Sequence, residues 1–182
     1  EINGTIPSPS TKEQLVGEPW YPGDSVNMSI GQGAITVTPI QVVRMLGGIA
    51  TGGQLMQPRI LLMTYDRNRS QHRADPFLQR IVPFQASTLA VLREGMRAVV
   101  ERGSGLGARI PGLPMAGKTG SAENPRGKPH AWFAGYAPVG EPRIVVVAFV
   151  EHGFRGGISA APVARAVLHA VFPQPADVEV PR

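Results

Sequence analysis

One short segment, GLPMAGKTGSAE at residues 112–123, carries residue types that two different chemistries use. Counted from Gly112, it matches G-x-x-x-x-G-K-[ST], the spacing of loops that bind nucleotide phosphates. Counted from Lys118, it reads Lys-Thr-Gly, a triad that supports acyl transfer when it lies on a strand beside a cleft. The residues on either side of the segment distinguish these two interpretations.

The flanking sequence argues against a phosphate-binding loop. Such a loop follows an apolar strand and opens a helix at its Lys-Thr pair, so that free N–H groups point at the phosphates. Residues 104–111 do not form an apolar strand, and residues 120–129 contain two glycines and two prolines. In a helix interior a proline costs about 3 kcal/mol and a glycine about 1 kcal/mol relative to alanine. We therefore predict that no helix follows Thr119, and we reject the nucleotide site.

An extended strand gives each residue from 118 to 121 a chemical role. Lys118 would place a positive charge beside a nucleophile, where it favours anionic groups and eases proton transfer. The hydroxyls of Thr119 and Ser121 would bind a substrate carboxylate. Gly120 has no side chain, so a substrate backbone could lie along the strand edge, and the N–H beyond it could donate to an oxyanion.

The elements that must position this strand are a sheet and several helices. Alternating and β-branched residues predict three strands, at 116–122, 131–137 and 143–150. Apolar residues at helical spacing predict three helices, at 39–51, 87–102 and 161–172. Because the links between the strands are short, the fold class is predicted to be α+β, an antiparallel sheet flanked by helices.

The remaining segments are predicted to be less regular. Prolines and glycines punctuate residues 1–33, which we expect to be irregular, and the polar stretch 62–84 is expected to be a loop with at most a short strand. In the central helix, one apolar stripe is predicted to be core: Leu89, Leu92, Met96, Val99 and Val100.

Composition narrows the function classes. The chain has 182 residues, no cysteine and a net charge of +5, which excludes thiol catalysis and a disulfide framework. Its arginines are scattered, and the tightest group, Arg67, Arg69 and Arg73, is predicted to be a solvated loop, with no nucleic-acid partner. The longest apolar run, Ile144–Val150, is far shorter than the roughly 20 residues of a membrane span.

Histidine chemistry is not predicted either. His130 and His152 have no aspartate near them in the sequence, so we expect packing or hydrogen bonding rather than a general-base role. Four histidines without clustered carboxylates predict neither a metal site nor another cofactor. Trp132 and Phe133 are expected to anchor the sheet. Glu123 either lines the cleft or is a solvated turn residue.

The surroundings of Lys-Thr-Gly resemble a known family. Five blocks carry the resemblance: 20–33 with 38–41, 117–123, 130–138, 151–153 and 160–162. They are similar to the C-terminal half of class B penicillin-binding proteins, and the first block is similar to the elongation-type members. The resemblance covers roughly residues 18–172 and implies the penicillin-binding protein and serine β-lactamase-like fold.

The resemblance also implies an activity. Proteins of this class are D,D-transpeptidases that cross-link peptidoglycan through a serine acyl-enzyme and are acylated by β-lactams. It implies catalytic roles for Lys118, Thr119 and Gly120 and substrate binding by Thr119 and Ser121. Peptidoglycan stem peptides, β-lactam antibiotics and a SEDS-family glycosyltransferase are the implied partners, and the periplasmic face of the bacterial inner membrane is the implied location.

One departure from the family pattern limits these expectations. The family nucleophile lies in S-x-x-K, but the residues three positions before Lys12, Lys118 and Lys128 are Pro9, Met115 and Pro125. Residues 1–172 are therefore expected to be the C-terminal portion of a transpeptidase domain, with residues 173–182 a loose tail. The serine would come from the remainder of the polypeptide.

The triplet at 25–27 spells S-x-N but is interpreted as structural. A noncatalytic module that binds stem peptides or docks onto a partner remains an alternative function. A serine β-lactamase would use the same Lys-Thr-Gly, although the segment 20–33 argues against it.

Overall fold

The computed structural model describes residues 3–74 and 76–173. In this part of the chain the helices are α1 Pro9–Val16, α2 Pro22–Ser29, α3 Pro39–Thr51, α4 Ala86–Arg102 and α5 Ala161–Val171. The strands are β1 Gln54–Met56, β2 Met63–Tyr65, β3 Gln71–Arg73, β4 Leu78–Ile81, β5 Ala116–Ala122, β6 His130–Ala137 and β7 Ile144–Val150. A short 3₁₀-helix, Leu106–Ala108, and a π-helix, Gly156–Ala160, complete the described elements.

The central sheet has the order β5-β6-β7, and both pairs are antiparallel, as predicted. Thr119 lies opposite Phe133, which in turn lies opposite Ala148. Lys118 lies opposite Ala134. Because successive strand residues point to opposite faces, Lys118 and Thr119 occupy different faces of the sheet. Residues 116–122 form a strand, so the prediction that no helix follows Thr119 is confirmed.

Helices cover both faces of this sheet. On one face, Phe133 and Ala148 pack with Leu168 of α5, and Val100 of α4 reaches the same cluster. On the other face, Tyr136 packs with side chains of α3 and α4. The α+β architecture predicted from the sequence is confirmed, with the sheet between two helical layers.

The predicted helices α3, α4 and α5 are present, with small adjustments. Thr38 caps α3 by accepting from the Gln41 N–H, while Pro39 occupies the first helical position. Helix α4 begins at Ala86, one residue before the predicted Ser87. Its core stripe is narrower than predicted, because Leu92 is 39% exposed.

The prediction that residues 1–33 are irregular is wrong. Helices α1 and α2 lie there, and each has a proline at the start: Pro9 and Pro22. A proline at the first helical position lacks only an N–H that would be unpaired in any case, and its fixed φ suits the helix. Ser8 adds a capping box with Thr11. Neither helix has a buried residue, so no apolar periodicity marked them.

The prediction of a loop at 62–84 also needs correction. Strands β2 and β3 pair with each other, and β4 pairs with β1, which makes two small antiparallel sheets. All residues of β3 and β4 are exposed, so these strands lack the apolar alternation by which buried strands are recognised. Of the predicted tail at 173–182, all but Pro173 lies outside the described residues.

Candidate active site

The candidate site lies along the outer edge of β5. Since β5 is the first strand of the sheet, only one of its edges pairs with β6. We call the other edge, from Lys118 to Ser121, the open edge. A cavity of about 570 Å³ lies beside it, and we call it the β5 cavity. Its lining residues are Ile30, Ser104, Leu106, Gly107, Lys118, Thr119, Gly120, Ser121, Arg155, Gly156, Gly157 and Ile158.

The structure brings together all four residues that the sequence singled out. Lys118, Thr119, Gly120 and Ser121 line the β5 cavity from consecutive positions of one strand. Lys118 and Ser121 are exposed, while Thr119 and Gly120 are half-buried. The extended conformation that acyl-transfer chemistry requires is therefore present.

The Lys118 side chain is exposed at the open edge. Its ammonium group donates a hydrogen bond of 2.5 Å to the carbonyl oxygen of Thr119. Among the described residues no carboxylate forms an ion pair with it. An exposed ammonium group without an acidic partner is able to interact with an anionic ligand.

Thr119 is oriented by a residue that the sequence did not suggest. The hydroxyl oxygens of Thr119 and Ser104 are 2.6 Å apart, and Ser104 lies in the turn that follows α4. Because the two positions are 15 residues apart and join different elements, no local pattern indicated the contact. A hydroxyl group can accept and donate at once, so Thr119 can still bind a ligand.

A second cation borders the β5 cavity. Arg155 follows β7, is exposed, and lines the cavity beside the open edge. Its guanidinium carbon lies 5.0 Å from the ring centre of Phe154. In the described part of the chain it forms no ion pair. Sequence reasoning missed Arg155 because only the fold brings the segment after β7 next to β5.

Close backbone packing joins the segment after β7 to β5. A Cβ atom at Gly156 would lie 2.5 Å from the Gly120 carbonyl oxygen and 2.2 Å from that of Trp132. At Gly157 it would lie 2.2 Å from the carbonyl oxygen of Ser104. Atoms do not approach this closely, so both positions require glycine for the backbone to form the floor of the cavity.

The histidines lie elsewhere and make local contacts, as predicted. The N–H of His152 donates to Nδ1 of His130 over 3.1 Å. The His152 ring is 3.2 Å from both the Asn124 side chain and the Lys128 carbonyl. Neither histidine lines the β5 cavity. Phe133 is fully buried in the sheet.

Two other structural findings concern residues 3–74 and 76–173. No group of three histidine, aspartate or glutamate side chains there is placed to bind a metal ion. No helix in the same ranges has the length and apolar character needed to cross a bilayer. The S-x-N triplet lies within α2, where the Ser25 hydroxyl accepts a 2.9 Å hydrogen bond from the Trp20 indole.

Known proteins are similar to this chain in sequence and in fold. Residues 4–169 match the family described as the penicillin-binding protein transpeptidase domain. The peptidoglycan D,D-transpeptidase MrdA of Acinetobacter baumannii is 32% identical over 189 residues, which cover 92% of this chain and 27% of that protein.

Solved structures agree with this match. The imipenem acyl-enzyme complex of penicillin-binding protein A from M. tuberculosis superposes with a TM-score of 0.71 at 32% identity, covering 80% of this chain and 33% of that one. The complex between PBP2 and MreC from Helicobacter pylori gives 0.73 at 26% identity, covering 94% and 32%. The chain spans about a third or less of the length of these relatives. It belongs to the family of penicillin-binding protein transpeptidase domains.

Proposed function

We propose that this chain supplies the Lys-Thr-Gly side of the active site of a peptidoglycan D,D-transpeptidase. The observation that carries the proposal is the open edge of β5, where Lys118, Thr119, Gly120 and Ser121 border one cavity of about 570 Å³. An extended peptide can add to such an edge through backbone hydrogen bonds. Residues 1–172 are then the C-terminal portion of the transpeptidase domain, and the remainder of the polypeptide supplies the nucleophilic serine.

The acyl donor in this proposal is a stem peptide with a terminal carboxylate. The hydroxyls of Thr119 and Ser121 bind that carboxylate, and the cations of Lys118 and Arg155 attract it. Both cations line the β5 cavity without an acidic partner among the described residues. The site thus offers an anionic group two charges and two hydroxyl donors within one cleft.

The proposed reaction has two steps. The serine oxygen attacks the donor carbonyl and forms an ester bond, while the peptide bond to the terminal amino acid breaks. The proton that the serine loses is taken up by the leaving amine. The amine of an acceptor peptide then attacks the ester, which releases the serine with its proton restored. In each step the tetrahedral oxyanion needs fixed N–H donors, and the Ser121 N–H on the open edge is one of them.

The same proposal covers ligands, partners and location. A relative forms an acyl-enzyme with imipenem, and another forms a complex with MreC. We infer that β-lactams acylate the complete protein of which this chain is part. A SEDS-family glycosyltransferase would be its partner, and the periplasmic face of the inner membrane would be its location.

Labelling of the complete polypeptide with a fluorescent penicillin tests the proposal. We expect a covalent adduct on a serine outside these 182 residues, followed by slow release. Absence of an adduct on a folded protein with an intact S-x-x-K would contradict the transpeptidase assignment. Rapid turnover of nitrocefin would instead favour a serine β-lactamase. An adduct on the isolated chain would exclude a noncatalytic module and would also contradict the proposed position of the serine outside this chain.

A further inference from the structure

The loop after α2 presents a single glutamine toward β5. Gln32 lies between Gly31 and Gly33, whose φ angles are 77° and 80°. These values lie in the left-handed region, which glycine adopts without steric cost. The Gln32 N–H donates to the Asn27 carbonyl oxygen over 2.9 Å, so the loop is fixed to the end of α2.

The Gln32 side chain pairs with the backbone of β5. Its Nε2 donates to the Ser121 carbonyl oxygen over 3.0 Å, and its Oε1 accepts from the Glu123 N–H over 3.2 Å. A carboxamide carries the same donor and acceptor as a peptide group. It therefore forms hydrogen bonds with the residues before and after Ala122, as a residue of a neighbouring parallel strand would.

This contact divides the outer edge of β5 into two parts. The N–H and C=O of one strand residue point to the same side, so the outward-facing groups belong to Thr119, Ser121 and Glu123. Gln32 occupies the Ser121 carbonyl and the Glu123 N–H. The outward groups of Thr119 and the Ser121 N–H lie before this contact and border the β5 cavity.

We propose that Gln32 is a positioning residue that ends the substrate groove at Ser121. Its carboxamide prevents an extended peptide from pairing with β5 beyond that residue, and it holds Ser121 with its N–H toward the β5 cavity. The acyl donor is thereby confined to one register, with its reacting carbonyl at the Ser121 N–H. This inference rests on the proposed transpeptidase function and adds a determinant of substrate register to it.

Two substitutions in the complete polypeptide test the role of each hydrogen bond. Gln32→Met keeps the length of the side chain and removes both bonds. Gln32→Glu keeps the acceptor for the Glu123 N–H and removes the donor to Ser121. Gln57→Ala is the matched control, because Gln57 is exposed at the end of β1 and does not line the β5 cavity.

The measurements are amide hydrogen exchange at Glu123 and kcat/KM for acylation by a peptide thioester that ends in a carboxylate. For Gln32→Met we expect faster exchange and a roughly fivefold to tenfold fall in kcat/KM, the scale of one or two hydrogen bonds. For Gln32→Glu we expect slow exchange at Glu123 with a similar fall in kcat/KM. Gln57→Ala should match the wild type in both.

Other results would overturn the inference. If Gln32→Met accelerates exchange at Glu123 but keeps kcat/KM within twofold of wild type, Gln32 only holds the loop against β5 and does not position the substrate. If both variants lose acylation only in proportion to lost folded protein, measured by active-site titration, the positioning role is also rejected. Failure of the wild type to acylate would contradict the proposed function instead, and exchange at Glu123 would still report on the contact.

Discussion

The hydroxyl oxygens of Ser104 and Thr119 lie 2.6 Å apart and connect the turn after α4 to the open edge of β5. This short contact fixes the rotamer of the threonine that faces the cleft. For Ser104→Ala in the complete protein we expect acylation by penicillin to slow roughly threefold to tenfold, the scale of one hydrogen bond. Ser87→Ala, at the exposed start of α4, is the control and should acylate normally. Equal rates for the two variants would show that Thr119 needs no such support.

Lys118 and Lys128 form a matched pair for testing the charge at the cleft. Lys118 lines the β5 cavity, whereas Lys128 lies in the turn between β5 and β6 and is exposed. We expect Lys118→Ala to lower the acylation rate constant at least about 10²-fold, as loss of one preorganised electrostatic contact does. Lys128→Ala should remain near wild type. A loss below tenfold for Lys118→Ala would reduce that residue to a structural role.

Arg155 should discriminate ligands by their charge. We expect Arg155→Ala to slow acylation by a penicillin roughly tenfold and to change the rate for its methyl ester by less than twofold, since the ester carries no anion for the guanidinium to attract. Arg165→Ala, on the exposed face of α5, is the control. Stopped-flow measurements give the ratio of the acylation rate constants for the penicillin and its methyl ester. If Arg155→Ala and the wild type give the same ratio, Arg155 does not interact with the anionic group of the ligand.

The contact between α1 and α2 should depend on pH. Lys12 Nζ lies 2.8 Å from an Asp24 oxygen that also accepts from the Tyr21 N–H. The lysine hydrogen bond, with the Tyr21 bond, lowers the pKa of Asp24 below its ordinary 3.8. A lowered folded pKa gives stabilisation that is complete above 3.8 and is lost as the pH falls through the folded value.

Hydrogen exchange in residues 9–29 checks this dependence. Asp24→Asn should exchange faster than wild type at neutral pH, and the difference should shrink as the pH falls below 3.8. Comparison at equal pH removes the intrinsic pH dependence of exchange. Glu13→Gln, on the exposed side of α1, is the control. A difference that persists unchanged in acid would assign the stabilisation to packing rather than to the Asp24 charge.

Much of the fold could be predicted because its signals are local. The strands β5, β6 and β7 carry alternating or β-branched residues, and α3 has its cap and proline in adjacent positions. Helices α1 and α2 were missed because their prolines read as breakers, although each opens a helix. Burial did not help there, since no residue of either helix is buried.

The site was predictable only in part, for a related reason. Lys118, Thr119, Gly120 and Ser121 are consecutive, so a motif can reveal them. Ser104 is 15 residues from Thr119 in the sequence, and Gln32 is 89 residues from Ser121. Both contacts form only when the chain folds. Composition and periodicity carry no information about such contacts, whereas the hydrogen bonds of the folded chain identify them directly.

The glycines at 156 and 157 lie between β7 and α5 and line the β5 cavity. A Cβ atom would lie 2.5 Å from the Gly120 carbonyl oxygen at the first position and 2.2 Å from that of Ser104 at the second, and α5 begins four residues after Gly157, at Ala161. A larger residue at either position would push the segment that precedes α5 away from β5. A substitution at Gly156 or Gly157 is therefore expected to change the shape of the β5 cavity together with the packing of α5.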